Sequence, residues 1–133
     1  MKPEAKAHLD RAGIFLIKAR IDVAAAAHEP LKAEDAARNA YYAAFHAAKA
    51  LIFERTGETH KSHGGVHKQF TQLARTEPGI DQTLRTFLIK AYDFKRIADY
   101  DIGSTSPITL ARAAEAVAEA ERFAAAIGNA LSS

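Results

Sequence analysis

The sequence predicts an all-α fold, an up-and-down antiparallel bundle of four long helices plus one short helix, and three observations carry that prediction. Apolar residues recur at spacings of three, four and seven through most of the chain. No stretch alternates apolar and polar residues with the period of two that a half-buried strand requires. Pro30, Gly57, Pro78, Gly79, Gly103 and Pro107 punctuate the chain between the periodic stretches.

The first helix is expected over about Glu4 to Ala27, because Leu9, Leu16 and Val23 recur every seven residues with Ala12, Ala19 and Ala26 three positions after each. Pro30 ends it. The second runs from about Ala33 to Arg55 on the stripe Tyr41, Phe45, Ala48 and Ile52. Its other faces carry Ala40, Ala43, Ala44, Ala47 and Ala50, so neighbouring backbones can approach closely and this helix should be central. Gly57 is placed to cap its C-terminus.

Ser62 is placed to cap a short third helix bearing Val66, Phe70 and Leu73. The fourth, about Asp81 to Tyr100, has Leu84, Phe87, Leu88, Ala91, Phe94 and Ala98 on one face. Gly103 reads as a stop, Ser106 as an N-cap and Pro107 as the first residue of the last helix, which carries Ala113, Val117, Ala120, Phe123, Ile127 and Leu131 along one side. Short links between long helices favour antiparallel neighbours.

One domain spanning 1–133 is expected, since a chain of 133 residues buries roughly two-thirds of its unfolded surface on folding. With 48% hydrophobic and 26% charged residues, the composition is globular rather than disordered. Eighteen Lys and Arg against 16 Asp and Glu leave a formal charge of +2, too little for a whole-surface nucleic-acid footprint, so any RNA site must be local. The absence of cysteine excludes disulfides, thiolate nucleophiles and cysteine-ligated zinc. The first residues lack a signal-peptide pattern, no apolar run is long enough to span a membrane, and the reading is of a cytoplasmic protein.

Several constellations could carry chemistry. A carboxylate-bridged di-iron centre is disfavoured, since no Glu is followed three residues later by His. His60, His63 and His67, with Lys61 and Lys68, form a tract suited either to a metal or to a solvated basic loop, and the backbone near Gly64 and Gly65 could hold a phosphate. Arg96, Asp99 and Tyr100 share one side of the fourth helix: a guanidinium fork for phosphate, a carboxylate to orient it, and a phenol to stack on a base. The same spacing also suits an ion pair beside a packed Tyr. Tyr42 and His46 share a face of the second helix. His46 followed by Lys49 resembles a phosphotransfer pattern, but Ala50 stands where that pattern wants Gly.

The run ARNAYYAAFHAAKALI, the loop KSHGGVHKQF, the later KRIADYD and the closing AERFAAAI, in that order from Ala36 to Ile127, resemble the small prokaryotic HEPN-domain family. The resemblance implies a helical bundle, often a homodimer, encoded beside a minimal nucleotidyltransferase as half of a toxin–antitoxin pair. It also implies metal-independent ribonuclease chemistry through an Arg, four to six residues and a His, in which the imidazole moves protons and the guanidinium stabilises charge on phosphorus. Here the motif departs from the family's pattern. Arg96 is followed at the required offsets by Asp101, Ile102 and Gly103, and the literal match, Arg55 to His60, straddles Gly57.

The reading is therefore a HEPN-domain protein that binds RNA or a nucleotide, with Arg96, Asp99, Tyr100, Tyr42 and Lys61 as binding residues. Asp99 is expected to fix Arg96. Arg96, His46 and His63 are the catalytic candidates, no metal or other cofactor is expected, and a nucleotidyltransferase and a second copy are the expected partners. A ribonuclease toxin and a non-catalytic oligomerisation domain are the alternatives.

Overall fold

The computed structural model describes residues 1–103 and 107–132, in which the chain forms α1 (Pro3–Ala26), α2 (Lys32–Thr56), α3 (His63–Ala74), α4 (Gln82–Tyr100) and α5 (Leu110–Ser132). No strand occurs among the described residues. Contacts between helix ends give the directions. Lys2 N–H reaches Glu54 while Asn39 reaches Asp22, so α1 and α2 are antiparallel. Arg38, early in α2, meets Asp99, late in α4; Phe87 and Phe94 of α4 meet Phe123 and Arg112 of α5 in reverse order. The four long helices thus run up, down, up and down, with α3 inserted between α2 and α4.

The local signals that set these boundaries are hydrogen bonds within a few residues. Pro3 opens α1, where its missing N–H is not needed. Gly57 ends α2 in the left-handed region, φ 73°, with its N–H donated to the Phe53 carbonyl. Ser62 Oγ accepts from Gly65 N–H at 2.9 Å, and a Cβ on Gly65 would sit 2.9 Å from that oxygen, so a side chain there would make the capping hydroxyl shift. Asp81 caps α4 by accepting from Leu84 N–H.

One expectation at the last connection is corrected. Helix α4 ends at Tyr100, where the spacing puts it, and Asp101 Oδ1 accepts from Gly103 N–H to turn the chain. Helix α5 starts at Leu110 rather than Pro107, with Thr109 Oγ1 accepting from Arg112 N–H. Ile108, just ahead of the helix, is buried in the core. Ser106, read as the cap, lies outside the described residues.

Helix α2 packs against every other helix. Its surface is paved with buried alanines, among them Ala36, Ala37, Ala40, Ala43, Ala44, Ala47 and Ala50, and α1 meets it with a matching line of buried Ala5, Ala12, Ala19 and Ala26. Small side chains allow helix axes to approach closely, so α2 can contact all four neighbours. The α5 stripe is buried along its length, and Phe123 lies against Phe70 of α3 and Phe87 of α4 with ring centroids 5.2 and 5.7 Å apart. On the outside of α1, Ile14, Ile17 and Ile21 form an exposed apolar stripe.

Phe123 joins three helices through one ring. Phe123→Ala is expected to cost about 3–5 kcal/mol in denaturant unfolding, the range for emptying a buried aromatic site.

Candidate functional site

The site begins from a core tyrosine. Tyr41 is fully buried on α2, yet its hydroxyl lies 2.6 Å from His63 Nδ1 and 2.9 Å from His67 Nε2, both on α3. Ring spacing of four on α3 turns both imidazoles to one side. The hydroxyl has one proton, so it donates to an unprotonated nitrogen of one ring, which must be neutral, and accepts from the N–H of the other. The chemistry agrees. Burial, then the Lys95 charge, holds the His63 pKa below its ordinary value. Burial and His63 do the same for His67, partly offset by Asp93. Burial pushes the Tyr41 phenol up, so it remains a neutral donor.

Tyr92 of α4 closes the cluster, its ring centroid 5.1 Å from Tyr41, 5.2 Å from His63 and 5.0 Å from His67. Above it lies a rim of cations. Lys95 Nζ stands 5.9 Å from the centroids of both Tyr42 and Tyr92, and the Arg96 guanidinium 6.0 Å from Tyr92. Lys95 donates to Asp99 at 2.6 Å, and that bond raises its pKa. Asp99 also accepts from Arg38 Nε at 2.8 Å. Partial burial works against the Asp99 carboxylate, but Lys95 and Arg38 outweigh it and keep the acid ionised. Arg38 is further tied to Asp35 at 2.7 Å and to the Ala98 carbonyl at 2.8 Å, so it fastens the start of α2 to the end of α4.

A second histidine pair lies on the α1 side of α2. His46 Nδ1 faces His8 Nδ1 at 3.2 Å, and Phe15 stacks on His46 at 5.6 Å between centroids. Burial first, then His8, Lys49 and Arg11, push the His46 pKa down to about 4. Two ring nitrogens this close share one proton, because a second would set two N–H groups head to head. Tyr42, His46 and Arg38 line the same shallow cleft of about 470 Å³ beside Phe15.

The residues singled out in the sequence are therefore divided. Asp99 does not fix Arg96: it bonds Arg38 and Lys95, because offset four brings Lys95 to it and α2 supplies the other cation. Arg96 lies over Tyr92 instead, and Tyr100 is 77% exposed at the helix end. Tyr42 and His63 belong to the groove, while His46 faces α1 and Lys61 is an exposed residue just before α3. Arg55 is taken up by Glu77 at 2.6 Å and by the Ala130 carbonyl at 3.3 Å; His60 sits 3.7 Å from Glu58, so the literal Arg-to-His match forms no joint site. Sequence reasoning missed Arg38, Tyr92, Lys95 and the Tyr41 hydroxyl. Among the described residues no group of three or more His, Cys, Asp or Glu side chains is placed to hold a metal ion.

An all-helical bundle carrying a cationic, aromatic groove above a neutral histidine pair defines the class of protein. The HEPN domain model matches residues 5–130, and the chain belongs to the HEPN-domain family. A relative from Methanocaldococcus jannaschii, which bears the name "Putative toxin MJ0605", is 36% identical over 97 residues, covering 73% of this chain and 69% of that protein.

Removing one oxygen tests the cluster. Tyr41→Phe leaves His63 Nδ1 and His67 Nε2 without their shared partner and is expected to lower unfolding stability by about 1–3 kcal/mol, the cost of orphaned polar groups. The histidines also set a pH dependence. The unfolded chain binds more protons between the ordinary 6.5 and the folded value of about 4 for His46, so stability falls as pH drops through that window. Half-exposure of this ring allows solvent screening, so its share is on the order of 1–2 kcal/mol. His46→Gln should flatten the fall of Tm between pH 6.5 and 5 relative to the parent chain.

Proposed function

We propose that this HEPN-domain protein binds RNA or a nucleotide in the groove between α2, α3 and α4, as one component of a toxin–antitoxin pair. The observation that carries the reading is the stacking of the Lys95 and Arg96 cations on Tyr92, with Tyr42 beside them. Cations over aromatic faces suit a phosphate backbone whose bases need flat surfaces to stack on, and they do so without sequence preference. Among the described residues Arg96 pairs with no carboxylate, which leaves its fork available for phosphate. Arg38 has the opposite role. Held by Asp35, Asp99 and the Ala98 carbonyl, it braces the groove rather than reaching into it.

The toxin role is supported by the name of the archaeal relative, and a minimal nucleotidyltransferase as partner by the family resemblance. The exposed Ile14, Ile17 and Ile21 stripe of α1 supports a homodimer by offering an apolar face. No helix among the described residues is long and apolar enough to cross a membrane, and a cytoplasmic location goes with the reading.

One observation favours a ribonuclease. His63 is neutral, its Nδ1 is fixed by Tyr41, and Lys95 is near enough to depress its pKa. With Nδ1 protonated and donating to the Tyr41 oxygen, the remaining nitrogen, Nε2, is unprotonated and has the state of a general base. Such an enzyme would cleave RNA in the presence of a chelator.

Arg96→Ala and Lys95→Ala each remove one charge-assisted contact, worth about 1.5–3 kcal/mol, and are expected to weaken binding of single-stranded RNA about tenfold or more while circular dichroism stays unchanged. Unaltered affinity in both folded variants would sink the reading.

A further inference from the structure

Beyond the groove, a separate cleft of about 550 Å³ opens between α3 and α4. It carries three cations, Arg75, Arg85 and Lys90, against one carboxylate, Asp93. Among the described residues only Lys90 of these cations reaches an acid, Glu119, at a long 3.5 Å. Arg85 Nε is shielded from solvent and has no hydrogen-bond partner among the described residues. A buried N–H donor without an acceptor is uncommon in folded proteins, and here it belongs to a residue lining a cationic cleft.

The remaining lining is as informative as the charge. Thr71 and Thr86 already donate their hydroxyl protons to helix carbonyls, Thr71 to His67 and Thr86 to Gln82 and Thr83. Each hydroxyl oxygen is left as an acceptor, which suits a hydroxyl-bearing ligand better than a bare anion. Ile89 is about half exposed and gives the cleft an apolar floor. An anion, donor hydroxyls and a flat apolar part are the three features of a nucleotide, and the volume lies in the range of small-molecule sites.

We propose that the α3–α4 cleft is a phosphate site for a nucleotide, with Arg75 and Arg85 on the phosphate, Thr71 and Thr86 accepting from ribose hydroxyls, and Ile89 beneath the sugar or base. The phosphate belongs either to a free nucleotide or to an RNA strand; for the strand, the inference rests on the binding reading given above. Continuity favours the strand. Thr71 follows His67 by one helical turn, Asp93 adjoins both Tyr92 and the cleft, and Arg75 lies about 12 Å along α3 from His67. A strand stacked on Tyr92 therefore runs on into the cleft.

The test uses the full chain, Arg75→Ala/Arg85→Ala and Lys95→Ala/Arg96→Ala, with folding checked by circular dichroism. Amide shifts of nitrogen-15-labelled protein are followed as 5′-AMP is added, and anisotropy of a fluorescein-labelled single-stranded octaribonucleotide is measured over a range of salt. AMP should move the amides of Thr71, Arg75, Arg85 and Thr86 in the parent and in Lys95→Ala/Arg96→Ala, but leave Arg75→Ala/Arg85→Ala unmoved. Octaribonucleotide affinity should fall at least tenfold in Arg75→Ala/Arg85→Ala, with the slope of log K against log salt flattened by about 1.4, or 0.7 for each phosphate that the variant no longer neutralises. Loss of RNA affinity without AMP shifts assigns the site to the strand. AMP shifts without any RNA binding assign it to the free nucleotide and overturn the groove reading instead. Absence of AMP shifts together with parental RNA affinity in Arg75→Ala/Arg85→Ala overturns the cleft proposal, and leaves the groove reading standing if Lys95→Ala/Arg96→Ala has lost affinity.

Discussion

The close approach of α2 to the other helices is the constraint on which the rest of the structure depends. A helix in contact with four others keeps only a narrow strip toward solvent, here Asp35, Arg38, Tyr42, His46 and Lys49, and α2 meets its neighbours elsewhere with alanine at most of its contact positions. The large residues it does bury, Tyr41, Phe45, Leu51 and Ile52, are then forced into the few gaps between neighbours. Tyr41 fills the gap beneath α3 and α4. Its hydroxyl cannot reach bulk water there, and burying it without a partner would cost about 1–3 kcal/mol. Two histidines one turn apart on α3 supply the partners, so a packing requirement of the core orients the groups that line the groove.

Electrostatics divides the groove into braced and available charge. Asp35, Arg38, Asp99 and Lys95 form a linear chain of contacts between the start of α2 and the end of α4. Partly exposed pairs of this kind add little stability individually, but a linked set fixes geometry. Arg96, one residue from Lys95, stays outside that chain and rests on an aromatic face. Burial holds the pKa of both neighbouring imidazoles below the ordinary value, with Lys95 adding to the effect at His63, so they contribute little positive charge of their own at neutral pH. The result is a local cationic surface on a chain whose total formal charge is only +2.

What was legible in the sequence is what is decided locally. The Gly57 stop and the Ser62 cap are formed by hydrogen bonds spanning three or four residues, and the α5 stripe is a single-face period, so both could be read directly. The start of α5 could not, because Ile108, ahead of the helix, is part of the core, and burial of a residue outside a periodic stretch leaves no local signal. The site suffers from the same limit. Asp99 has cations at offsets of three and four, Arg96 and Lys95, and spacing alone cannot choose between them; the choice is settled beside Arg38, 61 positions away. Tyr41 sits on a core stripe, and a periodicity argument assigns it to packing without revealing that its oxygen has two partners on another helix.

A long-range proton–nitrogen spectrum of the imidazoles in the folded chain at pH 7 addresses the shared hydroxyl most directly. If Tyr41 bridges the two rings, then of the two nitrogens facing the hydroxyl, His63 Nδ1 and His67 Nε2, one resonates as a protonated N–H nitrogen and the other as an unprotonated one. If instead both rings titrate near the ordinary histidine value of about 6.5 and average their tautomers as free imidazoles do, Tyr41 is a packing residue only, and the core does not organise the groove.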